Sequence, residues 1–129
     1  MEELSVLIVD DQLPFRVAAR TVVSHTPGFT VIGELDDGDA VAGAINGAAP
    51  DLVLMDIYMP NLDGIEATRQ VTRAHPDITV FLCSTYPLDE LPVGARDCGA
   101  AAYLQKEQLS PDALTRLWVD RGLPGLTTL

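Results

Sequence analysis

An aspartate pair, Asp10-Asp11, a single Asp56, the pair Ser84-Thr85 and Lys106 are the residues whose types and positions could do chemistry. Each follows a short apolar run. Three carboxylates brought together repel one another and raise each other's pKa. A hard divalent cation relieves that repulsion, and magnesium takes oxygen ligands, commonly one or two carboxylates with phosphate oxygens. A carboxylate can also attack phosphorus to give an aspartyl phosphate. Metal and lysine would oppose the charge building on the transferred oxygens, and a serine hydroxyl can hydrogen-bond one of them. Taken singly, each residue has an ordinary explanation. Asp10-Asp11 suits a turn and helix cap, Asp56 a strand-end cap, Ser84-Thr85 a turn, and Lys106 solvated surface. The weight lies in coincidence, since four of the five expected strand ends carry matching chemistry.

The elements that must position these residues follow from the hydropathy pattern. Leu4–Val9, Phe29–Leu35, 52–55, 78–83 and 101–105 are short apolar runs of the kind buried on both faces of a parallel sheet. Between them lie helical segments. The first opens near Pro14, carries Phe15, Ala18, Ala19, Val22 and Val23, and closes at Pro27-Gly28. The second is expected to be capped by Asp39 and to end near Ala49. The third is capped by Asp63, the fourth lies at about 88–98 before Gly99, and the fifth opens at Ser110-Pro111. Strand and helix alternating five times predict a (βα)5 α/β domain: a doubly wound, five-stranded parallel sheet with flavodoxin-like order 2-1-3-4-5. Ligands of such sheets bind beyond the carboxyl ends of the strands, at the switch point between strands one and three. Asp10, Asp11 and Asp56 would meet there. The domain is expected over 1–121, with 122–129 as a mobile tail or the start of a linker.

A net charge of −11 over 129 residues repels phosphate backbones, so nucleic acid is not expected as a ligand of this chain by itself. No apolar run approaches the length of a bilayer span, and Met1-Glu2-Glu3 is not a secretory start. Neither membrane association nor export is expected. Cys83 and Cys98 form no CxxC pattern and read as reduced structural thiols, which suits the cytoplasm.

Four stretches carry a resemblance to bacterial response-regulator receiver domains over essentially the whole chain. They are Leu7-Ile8-Val9-Asp10-Asp11, the run from Asp51-Leu52-Val53-Leu54-Met55-Asp56 through Met59-Pro60-Asn61-Leu62-Asp63-Gly64, Ser84-Thr85, and Gly99-Ala100-Ala101-Ala102-Tyr103-Leu104-Gln105-Lys106. The style is similar to the nitrate-regulator (NarL/FixJ) branch. The resemblance implies that Asp56 is the phosphoacceptor, with Asp11, Asp56 and the Tyr58 backbone carbonyl as Mg²⁺ ligands and Asp10 acting through water. It implies that Ser84 and Lys106 contact the phosphoryl group and that Tyr103 is the aromatic whose rotamer reports activation. It further implies a sensor histidine kinase as donor, and a homodimer or effector face built from the fourth helix, fifth strand and fifth helix. Leu88, Leu91, Tyr103, Leu114 and Trp118 are its named contacts, or else core. The output would be transcriptional, through a DNA-binding domain absent from this chain. Apart from its self-catalysed phosphoryl transfer and loss, the chain is expected to be a switch and not an enzyme.

Some positions depart from the common pattern. Thr85 stands where a small residue is usual, and Glu107 follows Lys106 where many relatives have proline, which leaves that bond's geometry open. Tyr58 and Tyr86 are bulky and are expected to screen the attacking water and lengthen the life of the phosphoryl form. An aspartate-dependent phosphatase would need a second aspartate where Tyr58 stands. A flavin module would need a phosphate-cradling loop in place of Asp10-Asp11-Gln12. A phosphorylation-independent pseudo-receiver, or a stand-alone receiver acting by protein contact, is the remaining alternative. The intact set of Asp10, Asp11, Asp56, Ser84 and Lys106 argues against a pseudo-receiver.

Overall fold

The five apolar runs form five parallel strands in the order β2-β1-β3-β4-β5. They are β1 (Leu4–Val9), β2 (Phe29–Leu35), β3 (Leu52–Asp56), β4 (Thr79–Ser84) and β5 (Ala102–Gln105). The computed structural model describes residues 3–129; Met1 and Glu2, part of the expected leaderless start and of the expected 1–121 domain, lie outside the described residues. Every residue of β3 is buried, as expected for a central strand covered on both faces. Alternate residues divide between two cores. Leu7, Val9, Val53, Met55, Val80 and Leu82 face one side, and Val6, Ile8, Leu52, Leu54, Phe81 and Leu104 face the other. Among the described residues no helix is long and apolar enough to cross a membrane.

Among the described residues four α-helices cover the sheet: α1 (Leu13–Ser24), α2 (Val41–Gly47), α3 (Gly64–Ala74) and α4 (Pro111–Asp120). Asp63 caps α3 by accepting from Glu66 N at 2.8 Å, and Ser110 caps α4 by accepting from Ala113 N at 3.1 Å. Such caps contribute about 1 kcal/mol each. The second helical segment differs in detail from expectation. Asp37, not Asp39, accepts the capping bond, because a short 3-10 turn at Gly38–Ala40 precedes α2.

The expected helix at 88–98 does not form. Two 3-10 turns, Leu88–Glu90 and Val93–Arg96, stand in its place. Pro92 is the cause: it has no N–H to donate, and it holds Leu91 extended at φ −75°, ψ 153°. The segment keeps its apolar role, since Ala95 and Cys98 are buried and Leu88 and Leu91 pack against the same core. The architecture is therefore the predicted doubly wound sheet with its fourth crossover reduced to turns. The face expected from a fourth helix, fifth strand and fifth helix has no helix at its first element. Two of its named contacts, Tyr103 and Leu114, lie in the core, and Trp118 is packed edge-on to Phe29 at 5.9 Å.

Within 122–129, expected as a mobile tail or the start of a linker, Thr127 touches the sheet. Tyr103 N donates to the Thr127 carbonyl at 2.9 Å, and Thr127 N donates to the Ala101 carbonyl at 3.0 Å. This places Thr127 in a parallel bridge on the outer edge of β5. Leu126 packs against the same core as Leu88 and Leu91, on the side left short by the missing helix.

Candidate functional site

β1 and β3 are adjacent, paired from Val6–Leu52 to Val9–Met55. Their carboxyl ends therefore deliver Asp10 and Asp56 to one point, with Asp11 next along the chain. One carboxylate oxygen from each of Asp10, Asp11 and Asp56 lies within 4.8 Å of the others. Asp10 is fully buried and Asp56 is 5% exposed, while Asp11 opens to solvent.

The loop after β3 is held by a close approach. Gly64 N donates to the Ile57 carbonyl at 2.8 Å. A Cβ on Gly64 would sit 1.9 Å from the carbonyl oxygen of Asp56. The glycine is needed for space and not for a left-handed backbone, since its φ is not positive.

Lys106, at the end of β5, reaches across the strand ends. Its Nζ is 2.7 Å from Asp10 Oδ2 and 3.4 Å from Asp56 Oδ1. At that distance the ammonium is the charged partner of the otherwise unpaired, buried Asp10 Oδ2. The ammonium also sits 4.7 Å from the centre of the Phe15 ring and 3.5 Å from Gln12 Oε1. Gln12 N donates to Asp10 Oδ1 at 2.8 Å, and Arg16 Nη1 donates to the Asp10 carbonyl at 2.7 Å. Sequence reasoning missed Gln12, Phe15 and Arg16 as parts of the site. The Asx-turn spacing from Asp10 to Gln12 was a usable signal; Phe15 and Arg16 had none beyond helical position.

The electrostatics follow from crowding. Burial pushes the Asp56 carboxyl up, the charge of Asp10 adds to it, and Lys106 only partly offsets them, so the group titrates at about 7. Burial lowers the Lys106 ammonium, but Asp10 and Asp56 together outweigh it and hold the group above its ordinary value. Three oxygen donors with excess negative charge, and no sulfur or nitrogen ligand among them, fit a hard divalent cation such as Mg²⁺.

Ser84, the last residue of β4, and Thr85 and Tyr86 after it line the same opening with Asp11, Asp56, Tyr58 and Lys106, around a cavity of about 220 Å³. Ser84 is buried, and its Oγ accepts from Tyr86 N at 3.0 Å. The Tyr58 and Tyr86 rings meet edge-on at 5.5 Å, each about half exposed, and form a lip over the opening. Thr85 is exposed at the rim. Tyr103 is 3% exposed, with its hydroxyl donating to the main-chain carbonyls of Tyr86 and Ser84, the latter at 3.3 Å. Gln105 Nε2 donates to the Thr85 carbonyl at 3.4 Å. The bond left open between Lys106 and Glu107 is trans, for the described residues contain no cis peptide.

Comparison with known proteins gives a consistent picture. The family profile described as response regulator receiver domain matches residues 6–117. The transcriptional regulatory protein YdfI of Bacillus subtilis is 35% identical over 105 residues, covering 81% of this chain and 49% of that protein. The response regulator GacA of Pseudomonas syringae is 36% identical over 103 residues, covering 80% and 48%. The chain thus spans about half the length of the curated relatives it matches. Among solved structures, the signal receiver domain of the response regulator NarL from Mycobacterium tuberculosis superposes with a TM-score of 0.81 at 29% identity, covering 93% of this chain and 96% of that one. The response regulator domain of Thermotoga maritima CheB gives 0.82 at 25% identity, covering 95% and 98%.

Proposed function

Because the chain belongs to the response regulator receiver domain family, we propose that it accepts a phosphoryl group on Asp56 from a sensor histidine kinase, in a Mg²⁺-dependent reaction, and switches conformation in response. The observation that carries this reading is the company of Asp56: its carboxylate lies within 4.8 Å of those of Asp10 and Asp11, 3.4 Å from the Lys106 ammonium, and in one cavity with Ser84. Asp11, Asp56 and the Tyr58 carbonyl would hold the metal, with Asp10 behind them. When bound, the metal supplies charge neutralisation to the transferred oxygens.

The chain's own residues do the rest. An Asp56 carboxylate oxygen attacks phosphorus, a new P–O bond forms, and the bond from phosphorus to the donor breaks, the electron pair leaving with the donor. Lys106 opposes the added charge of about −1.5 to −2. Ser84 Oγ donates to a phosphoryl oxygen. Both are drawn toward the group, and Tyr103, bonded to the Ser84–Tyr86 main chain, follows them. Inactive and active states are re-weighted. The chain is then a switch, with transfer and loss of its own phosphoryl group as its only reactions. Pairing with a second copy would use the face of β5 and α4. Control of transcription, through a DNA-binding domain outside these residues, fits the name of the transcriptional regulatory protein YdfI, and the proposed location is the cytoplasm. The −11 charge argues against direct nucleic-acid binding by this chain.

Incubation with acetyl phosphate, with and without Mg²⁺, tests the reading by intact mass. Wild type gains one phosphoryl group only with Mg²⁺, and Asp56→Asn gains none. An adduct that needs neither metal nor Asp56 overturns the proposal.

The tyrosine lip gives a second expectation. Tyr58 and Tyr86 restrict the approach of water to Asp56, so replacing both with serine is expected to speed loss of the phosphoryl group about tenfold, corresponding to about 1.4 kcal/mol of barrier. Timing phosphate release from the two proteins decides it; equal or slower release in the variant sinks the idea.

A further inference from the structure

The outer edge of β5 is a surface that reads an extended peptide, and its occupant here is the chain's own residues 126–128. Edge strands leave unpaired N–H and C=O groups, and an added strand satisfies them. At the start of β5 the Ala101 carbonyl and the Tyr103 amide face outward, and Thr127 satisfies both, at 3.0 and 2.9 Å. Leu126 seats against the same core that Leu88 and Leu91 cover. Thr127 Oγ1 also donates to the Asp120 carbonyl at 3.4 Å, tying the segment to the end of α4.

We propose that residues 126–128 form a strap on β5 whose hold depends on the state of the Asp56 pocket. This rests on Asp56 being the phosphoacceptor. The strand under the strap is fixed to the pocket at two points. Tyr103, whose amide holds the strap, donates its hydroxyl to the main chain of Ser84 and Tyr86. Lys106, one residue beyond β5, is paired with Asp10 and Asp56. A phosphoryl group that draws in Ser84 and Lys106 pulls on both points at once. The strap has only a single bridged residue with which to follow, so it loosens before the β4–β5 pairing does. Here the crossover is two turns, and the segment after α4 bonds directly to the strand that senses the site.

Amide hydrogen exchange on the 129-residue chain, with Mg²⁺ and with or without beryllofluoride, tests this, while fluorine NMR reports whether the Asp56 adduct has formed. With the adduct present, exchange at the Tyr103 and Thr127 amides is expected to rise about tenfold relative to that at Leu104 and Phe81, and Asp56→Asn is expected to show no rise. Unchanged exchange at Tyr103 and Thr127 in the presence of the adduct overturns the strap but not the phosphoacceptor. Failure of the adduct to form removes the phosphoacceptor reading and the linkage with it. Thr127→Pro, which deletes the donor to Ala101, checks the docking separately. It is expected to speed Tyr103 exchange without ligand, and unaltered protection there overturns the strap. Exchange that varies with protein concentration would mean that the segment docks on a second copy, and would overturn an intramolecular strap.

Discussion

Gly64→Ala is expected to destabilise the protein by about 3 kcal/mol and to abolish Mg²⁺-dependent phosphorylation with it. The added methyl carbon would stand 1.9 Å from the Asp56 carbonyl oxygen and 2.8 Å from its carbonyl carbon. Both are backbone atoms at the end of a strand whose residues are all buried, so neither has a side chain's freedom to turn away. Relief must come from moving the start of α3 or the end of β3. Either movement displaces the carboxylate and breaks the bond from Gly64 N to the Ile57 carbonyl. Urea unfolding measures the stability term, and the acetyl phosphate assay measures the site. Gly43→Ala is the control. It lies in α2 with nothing within 4 Å of its added carbon, and is expected to stabilise by about 0.5–1 kcal/mol. A Gly64→Ala protein as stable as wild type would show that the close approach is not a constraint.

Lys106→Met is expected to cost about 3 kcal/mol at neutral pH without Mg²⁺, because it leaves the buried Asp10 carboxylate without the ammonium 2.7 Å away. The pH dependence has a definite sign. Asp56 titrates at about 7 in the folded chain against an ordinary value of 3.8. Between those values the folded state binds more protons than the unfolded state, so this group makes the protein more stable as pH falls through about 7 toward about 4. For wild type without metal, the gain from about pH 7.5 to about pH 5.5 is expected to be about 2 kcal/mol. It should vanish in Asp56→Asn. Lys106 is the cation that holds the Asp56 value down, so Lys106→Met should extend the dependence to higher pH. Saturating Mg²⁺ should oppose it, since protons and metal compete for the same oxygens. Urea midpoints across that range decide the matter. A flat wild-type profile would remove the buried charge crowding from the account of the site.

What could be read from the residues alone was whatever has a local cause. Runs such as Leu52 to Met55 can be buried on both faces only in a covered parallel sheet, and Asp63 and Ser110 announce their helices by position. The assembly of Asp10, Asp11 and Asp56 followed, because strand order places the ends of β1 and β3 together. The missing helix had a local cause too, in Pro92, which the regular alternation of strands and helices conceals. The return of residues 126–128 had no local signal. Pro124 and Gly125 read as loop, and the bridge at Thr127 depends on an edge formed more than twenty residues earlier. The same holds for Lys106, whose closest partner is Asp10 and not the Asp56 that its role suggested.

The bridge at Thr127 also sets how many ends the sheet offers for growth. A parallel sheet with two bare edges is bifunctional, and like any bifunctional monomer it can add copies on both sides without limit. With Ala101 and Tyr103 already satisfied, this sheet keeps only the β2 side, where a bulge at Ile32 interrupts the register with β1. It is monofunctional: two copies meeting edge to edge would consume each other's free side and leave nothing for a third. Release of one threonine would restore the second valence.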